Sequence, residues 1–184
     1  MSDPDLSDAA AAGTVWVVGG PGCGKSTLAA ALAEVSGAPA VQLDDLFWGP
    51  GGHPNPEEVF VASVRSALSG PRWIADGQYP AALAACVDRA DCVIWLDVPL
   101  LVSWPRLVRR TVSRWIRGER LWGGTRETLR TVIGPRSILW YALRVRRTQQ
   151  RANEELFARL QDSGVRLVRT RTYRVRSLVG HGRS

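Results

Sequence analysis

The sequence predicts an α/β fold, a mainly parallel sheet flanked by helices, on three observations. Short β-branched and aromatic runs alternate with helix-forming stretches along all of the chain, with no repeat and no second domain boundary. A glycine-rich stretch, Gly19-Gly20-Pro21-Gly22-Cys23-Gly24-Lys25-Ser26-Thr27, joins the first such run to the first helix. Asp44, Asp76 and Asp97 close later runs, at the edge where open parallel sheets carry their sites.

Taken in order, residues 1–12 are small and acidic without periodicity and read as a disordered tail. Thr14-Val15-Trp16-Val17-Val18 suits a buried strand, and Leu28 to Ala33 continues the glycine stretch as good helix formers. Ala40-Val41-Gln42-Leu43 reads as a second strand delivering Asp44 and Asp45 at its C-terminal end. The glycines and prolines of residues 48–56 demand a loop, after which Asn55 is expected to cap a helix running to about Leu68. Arg72 to Ala75 is the third strand, ending in the sharp turn Asp76-Gly77-Gln78-Tyr79-Pro80 before an alanine-rich helix. Cys92 to Leu96 is the fourth strand. From Leu100 to about Ile116 the pattern is helical, with Pro105 kinking it or marking its first turn. A long helix over about 137–160 and a fifth strand, Val165 to Val168, complete the series. The folded domain spans 13–176 and residues 177–184 form a flexible C-terminal tail.

At 184 residues the chain is long enough for one domain with an ample core. No run of about 18 apolar residues is present and the first residues are acidic, so neither a membrane span nor a secretory signal is expected, and the reading is cytoplasmic. Cys23, Cys86 and Cys92 have no metal-ligand spacing and read as small buried residues, while His53 and His181 have no metal partners in view. The net charge of +7 favours an anionic partner. That charge is concentrated: in residues 106–151 thirteen arginines face only Glu119 and Glu127.

The glycine stretch matches the phosphate-binding pattern G-x-x-x-x-G-K-[ST] in full, in its required context of strand, loop and helix. Gly20, Pro21, Gly22, Cys23 and Gly24 let backbone N–H groups turn inward around an anion, and the helix behind them points its positive end at the same place. In that pattern Lys25 reaches the outer phosphates of ATP, Ser26 ligates Mg2+, and Thr27 joins the nucleotide shell. Lys25 is the only lysine in the chain.

Further motifs resemble those of the nucleoside monophosphate kinase-like P-loop kinases. The likeness to adenylate kinase lies in the phosphate loop, in Asp76-Gly77, and in Leu96-Asp97-Val98-Pro99 followed by Arg106 and Arg110. Over about residues 14–170 the chain resembles, more broadly, the family labelled DNA topology modulation protein. Leu43-Asp44-Asp45-Leu46-Phe47-Trp48, Asp76-Gly77-Gln78-Tyr79 and Leu121-Trp122-Gly123-Gly124-Thr125-Arg126-Glu127 carry that likeness. The resemblance implies a P-loop NTPase fold with a central five-stranded parallel sheet and an arginine-rich helical lid at about 111–136. It also implies that Arg106 lies by the adenine or ribose, that Arg110 reaches the triphosphate, and that Asp76 holds the magnesium water shell.

The departures from adenylate kinase concern the acceptor. Gln78-Tyr79-Pro80 stands where that enzyme places a phosphate-gripping arginine, and between Lys25 and Arg106 the only cations are Arg65, Arg72 and Arg89. Asp44 resembles the aspartate that shikimate and gluconate kinases place at this point. A carboxylate there can orient an acceptor hydroxyl and take its proton. Asp45, Trp48, Gly77 and Tyr79 are the further acceptor-side candidates, and Arg126 is the candidate for closing over the transferred phosphoryl, with Arg130 and Arg136 behind it. Strand residues Trp16, Trp73 and Trp95 are expected in the core; Trp48, Trp115 and Trp122 are placed in loops or lid.

The leading expectation is thus an ATP-dependent kinase transferring the γ-phosphoryl to a hydroxyl of a small molecule. A nucleoside monophosphate kinase of adenylate type and a nucleic-acid-binding or topology-modulating ATPase are the alternatives. The guanine motif Asn-Lys-x-Asp is excluded, because no second lysine exists. Neither Asp76-Gly77 nor Asp97-Val98 offers the Asp-Glu strand end of a motor ATPase.

Overall fold

The computed structural model describes residues 6, 9, 11–117 and 138–171. Five strands, β1 (Thr14–Gly19), β2 (Ala40–Gln42), β3 (Trp73–Asp76), β4 (Cys92–Leu96) and β5 (Arg166–Thr170), form one sheet in the order β2-β3-β1-β4-β5. Every pairing is parallel. Among the described residues they are accompanied by helices α1 (Lys25–Ser36), α2 (Leu43–Phe47), α3 (Glu57–Ala67), α4 (Pro80–Cys86), α5 (Leu100–Arg117) and α6 (Ile138–Leu160).

Alternation along the central strands divides the core into two layers. Val15 and Val17 of β1, with Cys92, Ile94 and Leu96 of β4, meet Leu28 and Leu32 of α1 on one face. Trp16, Val18, Val93 and Trp95 point the other way, onto Phe60 and Val64 of α3, Leu83 of α4 and Leu156 of α6. A parallel sheet covered on both faces needs uninterrupted apolar strands, which is why β1 and β4 are legible as solid apolar runs. Trp16, Trp73 and Trp95 are buried as expected, and the Trp16 indole N–H donates to the Gly77 carbonyl at 3.0 Å. All three cysteines are free and buried.

Because β1 lies between β3 and β4, the chain passes outward from β1 to β2, returns to β3, and crosses β1 to reach β4. That reversal leaves a crevice at the carboxyl end of β1, where open α/β sheets take ligands. The ends of β1, β2, β3 and β4 bring Gly19, Leu43, Asp76 and Asp97 to one edge.

Several expectations change. Asp44 and Asp45 do not end a strand: β2 stops at Gln42 and both carboxylates occupy the first turn of α2, where a helix N-terminus favours negative charge. Asn55 does not cap α3; its side-chain N–H donates to Leu46 O at 2.9 Å and its backbone N–H to Phe47 O at 2.8 Å. Those bonds close the 46–55 loop on itself, and α3 begins after Pro56 without a side-chain cap. Helix α5 runs through Pro105 at its sixth residue. In the segment expected as a disordered tail, Leu6 and Ala9 are helical and buried against the α1 layer. Of the expected lid, 111–117 continue α5 and 118–136, with Trp122, Arg126 and Arg130, lie outside the described residues, as do Arg136 and 177–184.

Candidate functional site

The glycine loop leaves β1 at Gly19 and enters α1 at Lys25, with Gly24 in the left-handed region as the N-terminal cap and no side-chain cap bond. Helix N–H groups without a side-chain acceptor point into the loop, an arrangement suited to an anion. Close packing explains the glycine at 22. Its φ is 74°, and a Cβ there would stand 2.6 Å from the Ser103 carbonyl oxygen and 3.0 Å from Leu107 Cβ on α5. Gly20 has only the Gln149 Oε1 within reach, at 3.5 Å from where a Cβ would be, and so faces the open side. Cys23 is buried, while Ser26 and Thr27 are exposed at the mouth. Lys25 lies over the loop, its ammonium donating to Gly20 O at 3.2 Å.

Asp76 stands at the end of β3 beside β1, paired in register with Val17 and Gln42. Asp76 is 7% exposed, and its Oδ1 is buried with no hydrogen-bond partner among the described residues. Burial raises the Asp76 pKa above the ordinary carboxyl range. Lys25, the Ser26 hydroxyl and Arg110 pull it down, and Asp44 adds to the rise. Groups from α1, α2 and α5 thus act electrostatically on one carboxyl. The turn after it is tightly packed: a Cβ on Gly77, whose φ is 153°, would lie 2.7 Å from Leu43 Cβ.

An orphaned buried carboxylate oxygen beside a hydroxyl fits a hard divalent cation. Among the described residues no cluster of three or more His, Cys, Asp or Glu could hold a metal alone. A cation between Ser26 and Asp76 would complete its shell with water and with oxygens of a bound phosphate, the usual habit of Mg2+.

On the β2 side, Asp44 is half-buried and Asp45 is exposed. The Tyr79 hydroxyl donates to Asp44 Oδ1 at 2.5 Å. Phe47 lies against Tyr79 with centroids 4.6 Å apart, Phe60 backs them both, and Trp48 meets Phe47 edge-on at 5.0 Å. Trp115 belongs to α5, but its side chain lies outside the described residues. Arg106 and Arg110 are both exposed on α5, and Arg110 acts electrostatically on Asp76.

Three residues of the site escaped sequence reasoning. Gln78 accepts from the Gly19 N–H at 3.1 Å through Oε1 and donates to Asn153 Oδ1 at 2.7 Å, tying the loop to α6. Gln149, one helical turn before the buried Asn153, directs a buried and unpartnered Oε1 toward the pocket beside Gly20. A polar triad, Gln149, Gln150 and Asn153, inside a helix was the available signal. Asp97, by contrast, is held by Arg169 at 2.7 Å, and that guanidinium also covers the Trp95 ring at 4.0 Å, so Asp97 serves to fasten β4 to β5. Compared with models of known protein families and with curated proteins, the chain matches neither.

Proposed function

We propose that the protein is an ATP-dependent kinase of the P-loop type, transferring the γ-phosphoryl of ATP to a hydroxyl of a small-molecule acceptor with Mg2+ as cofactor. One observation carries the reading: Lys25, Ser26 and the unpartnered oxygen of Asp76 converge at the mouth of an uncapped glycine loop. The resemblance of the loop and of the Asp76-Gly77 and Asp97-Val98-Pro99 stretches to nucleoside monophosphate kinase-like proteins supports the same conclusion.

Phosphoryl transfer asks a protein mainly for positioning and for charge placed where it develops. The loop N–H groups and Lys25 hold the phosphates, and Lys25 must leave Gly20 O to do so. Ser26 and Asp76 are the residues that would hold Mg2+, and the ion would supply positive charge to neutralise the phosphates. Arg110, on α5 and acting electrostatically on Asp76, would offset charge on the transferred group. Asp44 orients the acceptor hydroxyl and takes its proton as the new P–O bond forms and the bond to ADP breaks. The lid arginine Arg126 is proposed to close over the phosphoryl, a contribution worth about 10³ to 10⁵ in rate where such arginines have been removed.

Adding Mg2+ and ATP to the protein with a panel of nucleosides, sugars and hydroxylated aromatics tests this directly. ADP formation that depends on an acceptor and vanishes in Lys25→Ala is expected. ADP formation unaffected by Lys25→Ala would contradict it.

A further inference from the structure

Helix α5 has two faces of different character. Ser103, Leu107 and Thr111 are buried against the body of the protein, and Gly22 of the loop packs closely on the first two. The outer face is unusual for its apolar content. Among the described residues the large apolar side chains exposed to solvent are Val59 and four from α5: Leu101, Val102, Val112 and Ile116. Leu101 is 89% exposed and Ile116 71%, and Pro105 is exposed on the turn after Leu101. At about 100° per residue, Leu101, Pro105, Val112 and Ile116 fall within about 60° of one another and form a stripe about 22 Å long. Ser103 and Leu107 lie about 170° around the helix from the middle of that stripe, so it faces away from the loop. Single exposed apolar side chains are ordinary, whereas a continuous stripe marks a docking surface. Its rim is basic: Arg109 adjoins it and Arg106 follows, both exposed and neither with an ion-pair partner among the described residues. No carboxylate belongs to α5.

From this we infer that α5 docks the protein on an anionic lipid surface. The helix lies in the plane of the interface, its stripe enters the boundary of the acyl chains, and Arg106 and Arg109 meet the headgroup phosphates. Such docking is independent of the kinase reading. Charge and composition together select the occupant. A second copy of the chain would set the arginine rims of two identical helices against each other. A nucleic acid would satisfy the arginines and leave Leu101, Val112 and Ile116 in water. A protein groove gains most from large aromatic anchors, and the exposed stripe is aliphatic throughout. An anionic bilayer surface takes both parts at once. Among the described residues no helix is long and apolar enough to cross a membrane, and an in-plane helix needs a single apolar face only.

Flotation of the full-length protein with vesicles provides the test, using phosphatidylcholine alone and phosphatidylcholine with about 30% phosphatidylglycerol. Binding to the anionic vesicles is expected to be at least about tenfold tighter than to the neutral ones and to weaken as salt rises. Leu101→Ser combined with Ile116→Ser changes no charge. That pair should weaken vesicle binding at least about tenfold and leave the melting temperature unchanged, since both side chains stand in solvent. Arg109→Gln should weaken binding several-fold and flatten its salt dependence. Absence of binding to anionic vesicles overturns the inference, as does binding that the serine pair leaves unchanged. A concentration-dependent dimer that the serine pair abolishes, seen by sedimentation, would place a second copy on the stripe and overturn it too. So would duplex DNA held more tightly than the anionic vesicles, and equally by wild type and the serine pair, because the arginines would then serve a nucleic acid.

Discussion

The two sides of the crevice are built on different foundations. The loop and Asp76 grow from the two adjacent central strands, buried on both faces, and are braced by Gln78, Asn153 and the close approach of α5 to Gly22. Asp44 sits on a five-residue helix following the three-residue edge strand β2, and among the described residues its side chain is braced by the Tyr79 hydroxyl. A site that must present the same geometry to every triphosphate belongs on the rigid centre of the sheet. A pocket that chooses among acceptors can sit on a short edge element, where exchange of a few side chains alters specificity without disturbing the core.

Substitutions on each side should separate these contributions. Lys25→Ala, at the centre, is expected to cost about 10³-fold or more in phosphoryl transfer, measured by ADP release, with little change in melting temperature because Lys25 makes a single bond to a loop carbonyl. Asp44→Asn, at the edge, should lower transfer by about 10²-fold while MgATP affinity, measured by calorimetry, stays within twofold. Full transfer in that variant would remove Asp44 from the acceptor role. Gln78→Leu strands the Gly19 N–H and the buried Asn153 amide, so a loss of about 1–3 kcal/mol is expected by urea unfolding, with weakened nucleotide binding.

Asp76→Asn should give a small stability effect, opposite in sign to that of Gln78→Leu. Since burial raises the Asp76 pKa, folding favours its neutral form. That contribution is fully present below the ordinary carboxyl range and is lost as pH rises through the raised value, so at neutral pH the charged carboxylate costs the metal-free protein stability. The variant should melt a few degrees higher at pH 7 in the absence of nucleotide, roughly 1 kcal/mol, and show no such gain at pH 4. Its MgATP turnover should collapse. A lower melting temperature at pH 7 would show that the carboxylate supports the fold rather than straining it.

The parts of this design that were legible in the sequence share a physical basis. β1, β3 and β4 stand out because strands covered on both faces must be apolar throughout, and the loop stands out because its backbone geometry demands glycine at fixed positions. Gln42-Leu43-Asp44-Asp45 was harder to place: a three-residue strand has too little periodicity to mark where it ends, and two aspartates suit a strand end and a helix start equally. Asn55 fitted a capping pattern, but loop closure onto Leu46 competes for the same side chain. Leu6 and Ala9 carry a helical spacing too short to register, and the α1 layer buries them. Gln78, Gln149 and Asn153 were illegible for another reason. Their meaning depends on α6 lying beside the loop, a contact across about seventy residues that no local pattern announces.

On the proposed function, the orphaned oxygen of Asp76 and the ammonium of Lys25 meet at one triphosphate. Calorimetric titration of ATP into the full-length protein, with Mg2+ and then with EDTA, tests this most directly, using wild type, Lys25→Ala and Asp76→Ala. Magnesium-dependent binding in wild type is expected, with affinity lost by at least about tenfold in Lys25→Ala and with the magnesium dependence abolished in Asp76→Ala. Binding that is the same in all three proteins, or indifferent to EDTA in the wild type, would contradict it.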